Sequence, residues 1–267
     1  MSVQTLYTAA TGMEALETKL DVIANNMANI NTTAFKKDRA NFEDLFYRQY
    51  RMPGATDADG NLTSTGIEVG LGSRVSSTQT NFIQGAIQTT NNPLDLAIEG
   101  RGFFKVNDPA GGSLYSRAGN FGINATGQLV LGSANTGWVV DPAVSIPEDA
   151  VDIVVTTDGQ VQYRTSDAPA LQTAGQLSLS TFINPDGLLK MGDNLYKETD
   201  ASGTATEGNP GTPGVGVVAQ GALESSNVEP VQELIDLITT QRAFELNSQV
   251  VQAGDQIMQI AANLRRG

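Results

Sequence analysis

The stretch whose residue types and spacing come nearest to a reactive constellation is DADGNLTSTGIE, Asp57 to Glu68. It sets Asp57, Asp59, Asn61 and Glu68 at positions 1, 3, 5 and 12 of a calcium-binding loop. That loop needs glycine at position 6 for its sharp turn, and Leu62 stands there. No helix pair is expected on either side, so an exposed acidic turn running into a strand is the better reading. GRGFF, Gly100 to Phe104, lacks a Lys-Ser/Thr partner and runs into strand-like residues, which leaves little of a phosphate loop. The chain has no histidine and no cysteine, which removes Ser-His-Asp and Cys-His nucleophilic sites and the common zinc sites. Paired carboxylates can hydrolyse glycosides, but the sequence gives none of the 29 acidic residues an apolar pocket. No enzyme activity, cofactor or metal is expected.

Charge narrows the partners. Lys and Arg total 16 against those 29 acids, a net charge of -13, which disfavours nucleic acid and an anionic membrane surface alike. No window approaches about 18 consecutive apolar residues, so no membrane insertion is expected. MSVQTLYTAATGMEALETKL has neither a basic n-region nor an apolar h-region and does not read as a cleaved signal peptide. Taken alone that suggests the cytosol, and a leaderless export route would leave the same pattern. Absence of cysteine suits a reducing or an oxidising compartment equally.

The elements that must carry these residues read as helix, β region, helix, in two or three structural units. Leu6, Met13, Leu20 and Met27 recur every seven residues, as do Ala9, Leu16, Ile23 and Ile30, a heptad seam interrupted only by the weak helix former Gly12. Ala243, Leu246, Val250, Ala253, Ile257, Ile260 and Leu264 form a second seam, widened by Phe244, Val251 and Met258. The second helix is predicted to begin near Asn227, with Asn227 as cap, Pro230 in the first turn, and Glu229 and Glu233 at the positive dipole end. Two such helices most simply pair seam to seam. Asn25, Asn26 and Asn29 fall off the first seam on its outer face; Gln241 and Asn247 fall off the second. An amide face can rest in water or pack against a neighbouring copy without the desolvation cost of a charge. Between the helices, LDLAIEGRGFFKVND, SLYSRAGNFGINATGQLVL, VDIVVTTDGQVQYR and GQLSLSTFINPDG alternate like strands between glycine-rich turns, and Thr199 to Gly216 reads as a loop. The fold class is thus α+β, mainly β. Paired coiled-coil-like terminal helices (1–34 and 227–267) would enclose a β-rich middle layer (35–94 and 192–226) and an outer β domain (95–191).

The same residues carry a family resemblance over essentially the whole chain. LDVIANNMANINTTAFKKDRANFEDLFY, with Asn25, Asn26, Asn29 and Phe35, resembles the N-terminal signature of bacterial flagellar axial proteins, the rod and hook group. NNPLDLAIEGRGFFKV, with Asp95, Gly100, Gly102 and Phe103, and YSRAGNF resemble the group's central motifs. The stretch from Gly221 to Leu264, with Asn227, Gln241 and Arg242, resembles its C-terminal helix. The length and the segment 47–74, with an R-x-P-G turn, are similar to the distal-rod branch. A proximal rod or hook paralogue is the rival within the group, and a secreted β-rich binding module with helical oligomerisation ends the rival outside it. Ala34 stands where many relatives have glycine, which questions how tight a turn follows the first helix.

The resemblance implies a structural subunit of the basal body, exported through the flagellar type III apparatus without signal cleavage. It implies helical self-polymerisation into a hollow, straight shaft crossing the periplasm and transmitting torque from motor to hook. The implied neighbours are other rod proteins, the hook protein, and the peptidoglycan-layer and outer-membrane rings. The terminal helices would line the inner tube, order on assembly, and polymerise through Leu6, Met13, Leu16, Leu20, Ile23, Met27, Ile30 and the second seam. Tyr47, Tyr50, Arg51 and Pro53 would be contact residues of the rod-specific segment.

Overall fold

The computed structural model of the chain describes residues 3–54, 65–108, 111–132, 137–166 and 170–264. Among them are two α-helices and nineteen short strands, an α+β protein that is mainly β, and none of the sheets closes into a barrel. Contacts divide the chain into two compact units.

One unit holds the described parts of 1–28, 38–80 and 229–267. It contains α1 (Val3–Ala28), β1 (Asp38–Asp44), β2 (Tyr47–Arg51), β3 (Ile67–Gly70), β4 (Ser73–Thr80) and α2 (Pro230–Leu264). β1 pairs antiparallel with β4, and β2 with β3, as separate two-stranded ribbons. The helices run antiparallel, with Leu6 against Gly254, Gly12 against Asn247 and Asn26 against Glu233. A Cβ on residue 254 would stand 2.7 Å from Leu6 Cδ2, so the Leu6 side chain would have to turn aside.

The seam-to-seam pairing expected from the sequence is not what the chain does. Glu233, Asn247 and Gly254 of α2 meet α1, in heptad register with the buried Thr240 (Glu233 5% and Thr240 2% exposed), and the half-buried Leu237, Val251 and Met258 flank this column. The apolar seam lies elsewhere on the helix. Leu246 is 61% exposed, Val250 45%, Ile257 38%, Ile260 59% and Leu264 79%. At Gly254 the missing side chain leaves room for Leu6 of α1. On α1, Ile23 is buried and Leu6, Met13, Leu16, Leu20 and Met27 are half-buried, whereas Ile30 lies past the helix end in a turn.

The second unit holds the described parts of 29–37 and 81–228. Its strands begin with β5 (Ile87–Thr89), β6 (Leu96–Glu99), β7 (Phe103–Asp108), β8 (Gly112–Ser116), β9 (Phe121–Ile123) and β10 (Leu129–Leu131). They continue with β11 (Ala150–Val155), β12 (Gln160–Thr165), β13 (Gln172–Gln176), β14 (Leu179–Thr181), β15 (Leu189–Gly192) and β16 (Leu195–Lys197). β17 (Thr206–Gly208), β18 (Val217–Gln220) and β19 (Ala222–Glu224) complete the set. The largest sheet runs β15-β16-β8-β7-β14-β17, so the stretch Thr199 to Gly216, expected as a loop, supplies its edge strand β17. Alternation along β7 explains the paired phenylalanines of GRGFF. Phe104 enters an aliphatic core with Leu96, Ile98, Val106, Leu131 and Leu179. Phe103 points the other way and meets Phe182 edge-on at 5.6 Å, within a cluster of Phe82, Tyr115, Leu188 and Tyr196. The returning chain closes on its own start, β18 pairing with β6 and β19 with β5.

Candidate functional site

Among the described residues no cluster of acidic side chains is arranged to hold a metal ion. Residues 57–64 of the calcium-like stretch lie outside the described residues; its last member, Glu68, sits on β3 and accepts a hydrogen bond from Gln49 Nε2 at 3.1 Å. GRGFF does the opposite of a phosphate loop. Gly100 (φ 106°) and Gly102 (φ 147°) turn their carbonyls onto the Arg117 guanidinium, which donates from Nη1 to their oxygens at 3.1 and 3.0 Å. The loop cradles a cation rather than an anion.

That cation belongs to a buried triad in the β unit. Glu224, on β19, accepts from Lys36 Nζ at 2.5 Å and from Arg117 Nε at 2.8 Å, with exposures of 0% for Lys36 and Glu224 and 4% for Arg117. Gly85 N donates to the same carboxylate at 2.9 Å, and Lys36 Nζ donates onward to Ile83 O at 2.8 Å. Burial lowers Lys36 from its ordinary 10.5 to about 8, with Glu224 opposing and Arg117 assisting. Burial also pushes Glu224 up, but the Arg117 and Lys36 cations and their hydrogen bonds hold it below the ordinary carboxylate value. Beside the triad, Ala34 N donates to Glu224 O at 2.8 Å while Ala34 itself is buried at φ 55°. The turn is therefore tight, in the left-handed conformation glycine adopts most easily.

Amides tie the chain segments leading to and from the helices. Asn227 is not the cap of α2, because its carboxamide is fully used elsewhere. Oδ1 accepts from Lys37 N at 2.8 Å, and Nδ2 donates to Asn81 O at 2.8 Å and Ile83 O at 3.0 Å. Asn81 N closes the ring by donating to Lys37 O at 2.8 Å. Within the helical unit Asn26 is 2% exposed, not on a solvated outer face. Its Oδ1 accepts from Asp38 N at 2.9 Å; its Nδ2 donates to Asp38 O at 2.8 Å and Glu233 Oε2 at 3.3 Å. Asn29 lies beyond α1, accepting from Thr32 Oγ1 at 3.0 Å, and Asn25 is exposed on the helix.

The remaining motif residues are spread out. Asp95 accepts from Thr90 Oγ1 (2.6 Å) and Asn92 Nδ2 (3.0 Å) and fixes the turn before β6. The Phe35 ring lies 5.5 Å beneath Lys190 Nζ. Gln241 and Arg242 are exposed on α2, where Arg242 pairs with Glu245 at 2.8 Å. In the β2–β3 ribbon, Tyr47, Tyr50, Arg51 and Pro53 are all exposed. Tyr50 packs under Arg48 at 5.0 Å, and the Tyr47 hydroxyl is raised above its ordinary pKa by its hydrogen bond to Asp44.

Sequence reasoning missed Lys36, Arg117 and Glu224 as a unit, and the column of α2 that meets α1. One signal was present for two of the three: Arg117 and Glu224 are each a lone charge among uncharged neighbours, whereas Lys36 is masked by the charged run Lys37-Asp38-Arg39. The heptad of Glu233, Thr240, Asn247 and Gly254 was equally visible, but only to a search that did not require apolar residues.

Comparison with known proteins is consistent along the chain. A model of the flagella basal body rod protein matches residues 6–36, one of the flagellar hook protein FlgE/F/G D1 domain matches 97–163, and one of the flagellar basal body rod FlgEFG protein C-terminal matches 219–264. The flagellar basal-body rod protein FlgG of Caulobacter vibrioides is 44% identical over 98% of this chain and 99% of its own. The protein of the same name from Agrobacterium fabrum is 45% identical over 96% and 97%, and that from Borreliella burgdorferi 41% over 98% and 98%.

Proposed function

Because the chain belongs to the flagellar basal-body rod protein family, we propose that it builds the distal rod by helical self-assembly through the exposed stripe of α2. It is a structural rod subunit and not an enzyme. One observation carries the assembly reading. The seam Leu246, Val250, Ile257, Ile260 and Leu264 is 38–79% exposed in the single chain while another face of the same helix is occupied by α1. Val231, Leu234, Ile235 and Ile238 extend it toward the start of α2 at 48–71% exposure. Exposed apolar residues repeated along one side of a helix on both sides of the Arg242–Glu245 pair mark an interaction surface, and a polymer supplies their cover from the next subunit.

The rest follows from the family. The subunit forms a hollow, straight shaft spanning the periplasm, with the terminal helices at the lumen, the β domain outside, and the ribbon carrying Tyr47, Tyr50, Arg51 and Pro53 bracing neighbours. Other rod proteins, the hook protein and the peptidoglycan-layer and outer-membrane rings are its contacts, reached through the flagellar type III export apparatus without a cleaved signal. The exposed stripe of α2 is covered only by neighbours, so the helices gain stability from them, and helix content rises on assembly.

Leu246→Asp and Ile257→Asp test the stripe. Both residues are exposed in the monomer, so circular dichroism and melting of the purified chain should be unchanged while rods fail to form and motility is lost. Normal motile rods from either variant would refute the role of the stripe.

A further inference from the structure

A cleft of about 430 Å³ opens in the helical unit beside the α2 stripe. Its floor is Ala9 and Gly12 of α1, its walls are Tyr50 and Val69 of the ribbon, and Val250 of α2 forms its rim. Val250 also belongs to the exposed stripe, so the cleft opens at one edge of it. Among the described residues no Asp, Glu, Lys or Arg lines it. At its edge Gln4 Nε2 is a buried donor with no acceptor among the described residues, although Gln4 Oε1 receives the Tyr50 hydroxyl at 3.4 Å. The cleft thus asks for an uncharged, mainly apolar occupant.

The same chain carries such a group. Leu6 stands opposite Gly254 in the antiparallel pair, and the register places Val3 level with about residue 257 at one helical residue per 1.5 Å rise. The last turns of α2 therefore run past the described part of α1. Ile260 and Leu264 there are 59% and 79% exposed, and residues 256–264 contain no charge.

We infer that the terminal turns of α2, through Ile257, Ile260 and Leu264, seat in the cleft formed by Ala9, Tyr50, Val69 and Val250 of a second copy. The inference rests on the self-assembling rod reading and names its contact pair. Knob and cleft are different surfaces of one molecule, separated along α2 by about ten residues, or roughly 15 Å. Such a contact is heterologous: each copy fills one neighbour and is filled by another, so the series continues as a filament instead of closing as a dimer. The uncharged lining, matched by the uncharged turns 256–264, favours this occupant over a charged segment.

The chain has no cysteine, which makes the test clean. Ile260→Cys and Val69→Cys are introduced together, as the sole copy of the chain in a motile cell, and isolated rods are oxidised and run without reductant. The expected result is a ladder of dimer, trimer and higher oligomers that either single variant lacks. Rods that assemble but give no ladder, or a dimer alone, overturn the inference while leaving the rod reading intact. The single variants are checked for assembly first, and Thr8→Cys, on the same cleft, replaces Val69→Cys if the latter does not assemble. Absence of the unsubstituted chain from rods would instead refute the rod reading itself.

Discussion

Neutralising Glu224 isolates the energetics of the triad. In Glu224→Gln, Lys36 and Arg117 keep their burial and lose their shared counter-charge, 2.5 and 2.8 Å away. Removing one partner of a buried ion pair costs about 3–5 kcal/mol. An independent bound comes from Lys36, which can escape by releasing its proton. Neutralising a lysine of ordinary pKa at pH 7 costs roughly 5 kcal/mol at about 1.4 kcal/mol per pH unit, so the loss cannot much exceed that. Native Lys36, already lowered to about 8, is part of the way there. The assay is urea unfolding followed by the single tryptophan, Trp138, which packs against the core of the β unit. A loss of about 3–5 kcal/mol is expected at pH 7, with a melting point down by about 6–20 °C at roughly 2–4 °C per kcal/mol. Lys36→Met, which leaves the Arg117–Glu224 pair balanced, should cost much less. The pH dependence has a definite sign. Between pH 8 and 10.5 native Lys36 holds fewer protons than the unfolded chain, so stability of the unsubstituted protein rises with pH across that window. A Glu224→Gln variant within about 1 kcal/mol of the parent, or a Lys36→Met variant as damaged as Glu224→Gln, would refute the argument.

Other perturbations separate the parts of the structure. Asn26→Ala removes both amide bonds to the Asp38 main chain and the donor to Glu233, and should cost about 1–3 kcal/mol, read as a lower melting point of the helical unit; an unchanged melt would show the bracket to be idle. Gly254→Val puts a Cβ where Leu6 Cδ2 stands 2.7 Å away, and should overpack the Leu6 side chain at a cost of about 1–3 kcal/mol; helical dichroism at its former melting point would refute the Leu6–Gly254 packing. Deleting 47–71 should leave subunits that polymerise into a bendable shaft, seen by electron microscopy, whereas straight shafts of normal stiffness would remove the bracing role of the ribbon.

Both helices were legible from their heptads, and the β region from its alternation and glycine turns, because those periodicities are local. What the heptads could not show is which face meets what. Leu246 and Val250 advertise a buried stripe, and such a stripe is equally well buried by another copy. The inner face relies on Gly254, whose worth lies in the room it leaves for Leu6 of α1, a property of two helices and not of one sequence. The alternation of Phe103 and Phe104 was readable, but Arg117 in the cradle of Gly100 and Gly102 was not, since it depends on β7 and β8 pairing in one register. Asn26 was placed outside because its position was counted from the apolar seam alone. Its partners are the main chain of Asp38, twelve residues on, and a carboxylate near the other end of the sequence.

The ring of bonds through Asn227 has a mechanical consequence. It gathers Lys37, Asn81 and Asn227, three residues beside the points where the backbone passes out of the β unit, and links them with short hydrogen bonds. A pull on any one of those strands of backbone is therefore shared among the others before it can peel a single β-strand from its sheet. Several bonds loaded side by side yield only when most fail together, whereas the same bonds loaded in sequence open one at a time. In a structural subunit under load, the arrangement acts as a knot of parallel fibres, and loss of one fibre still leaves the load distributed.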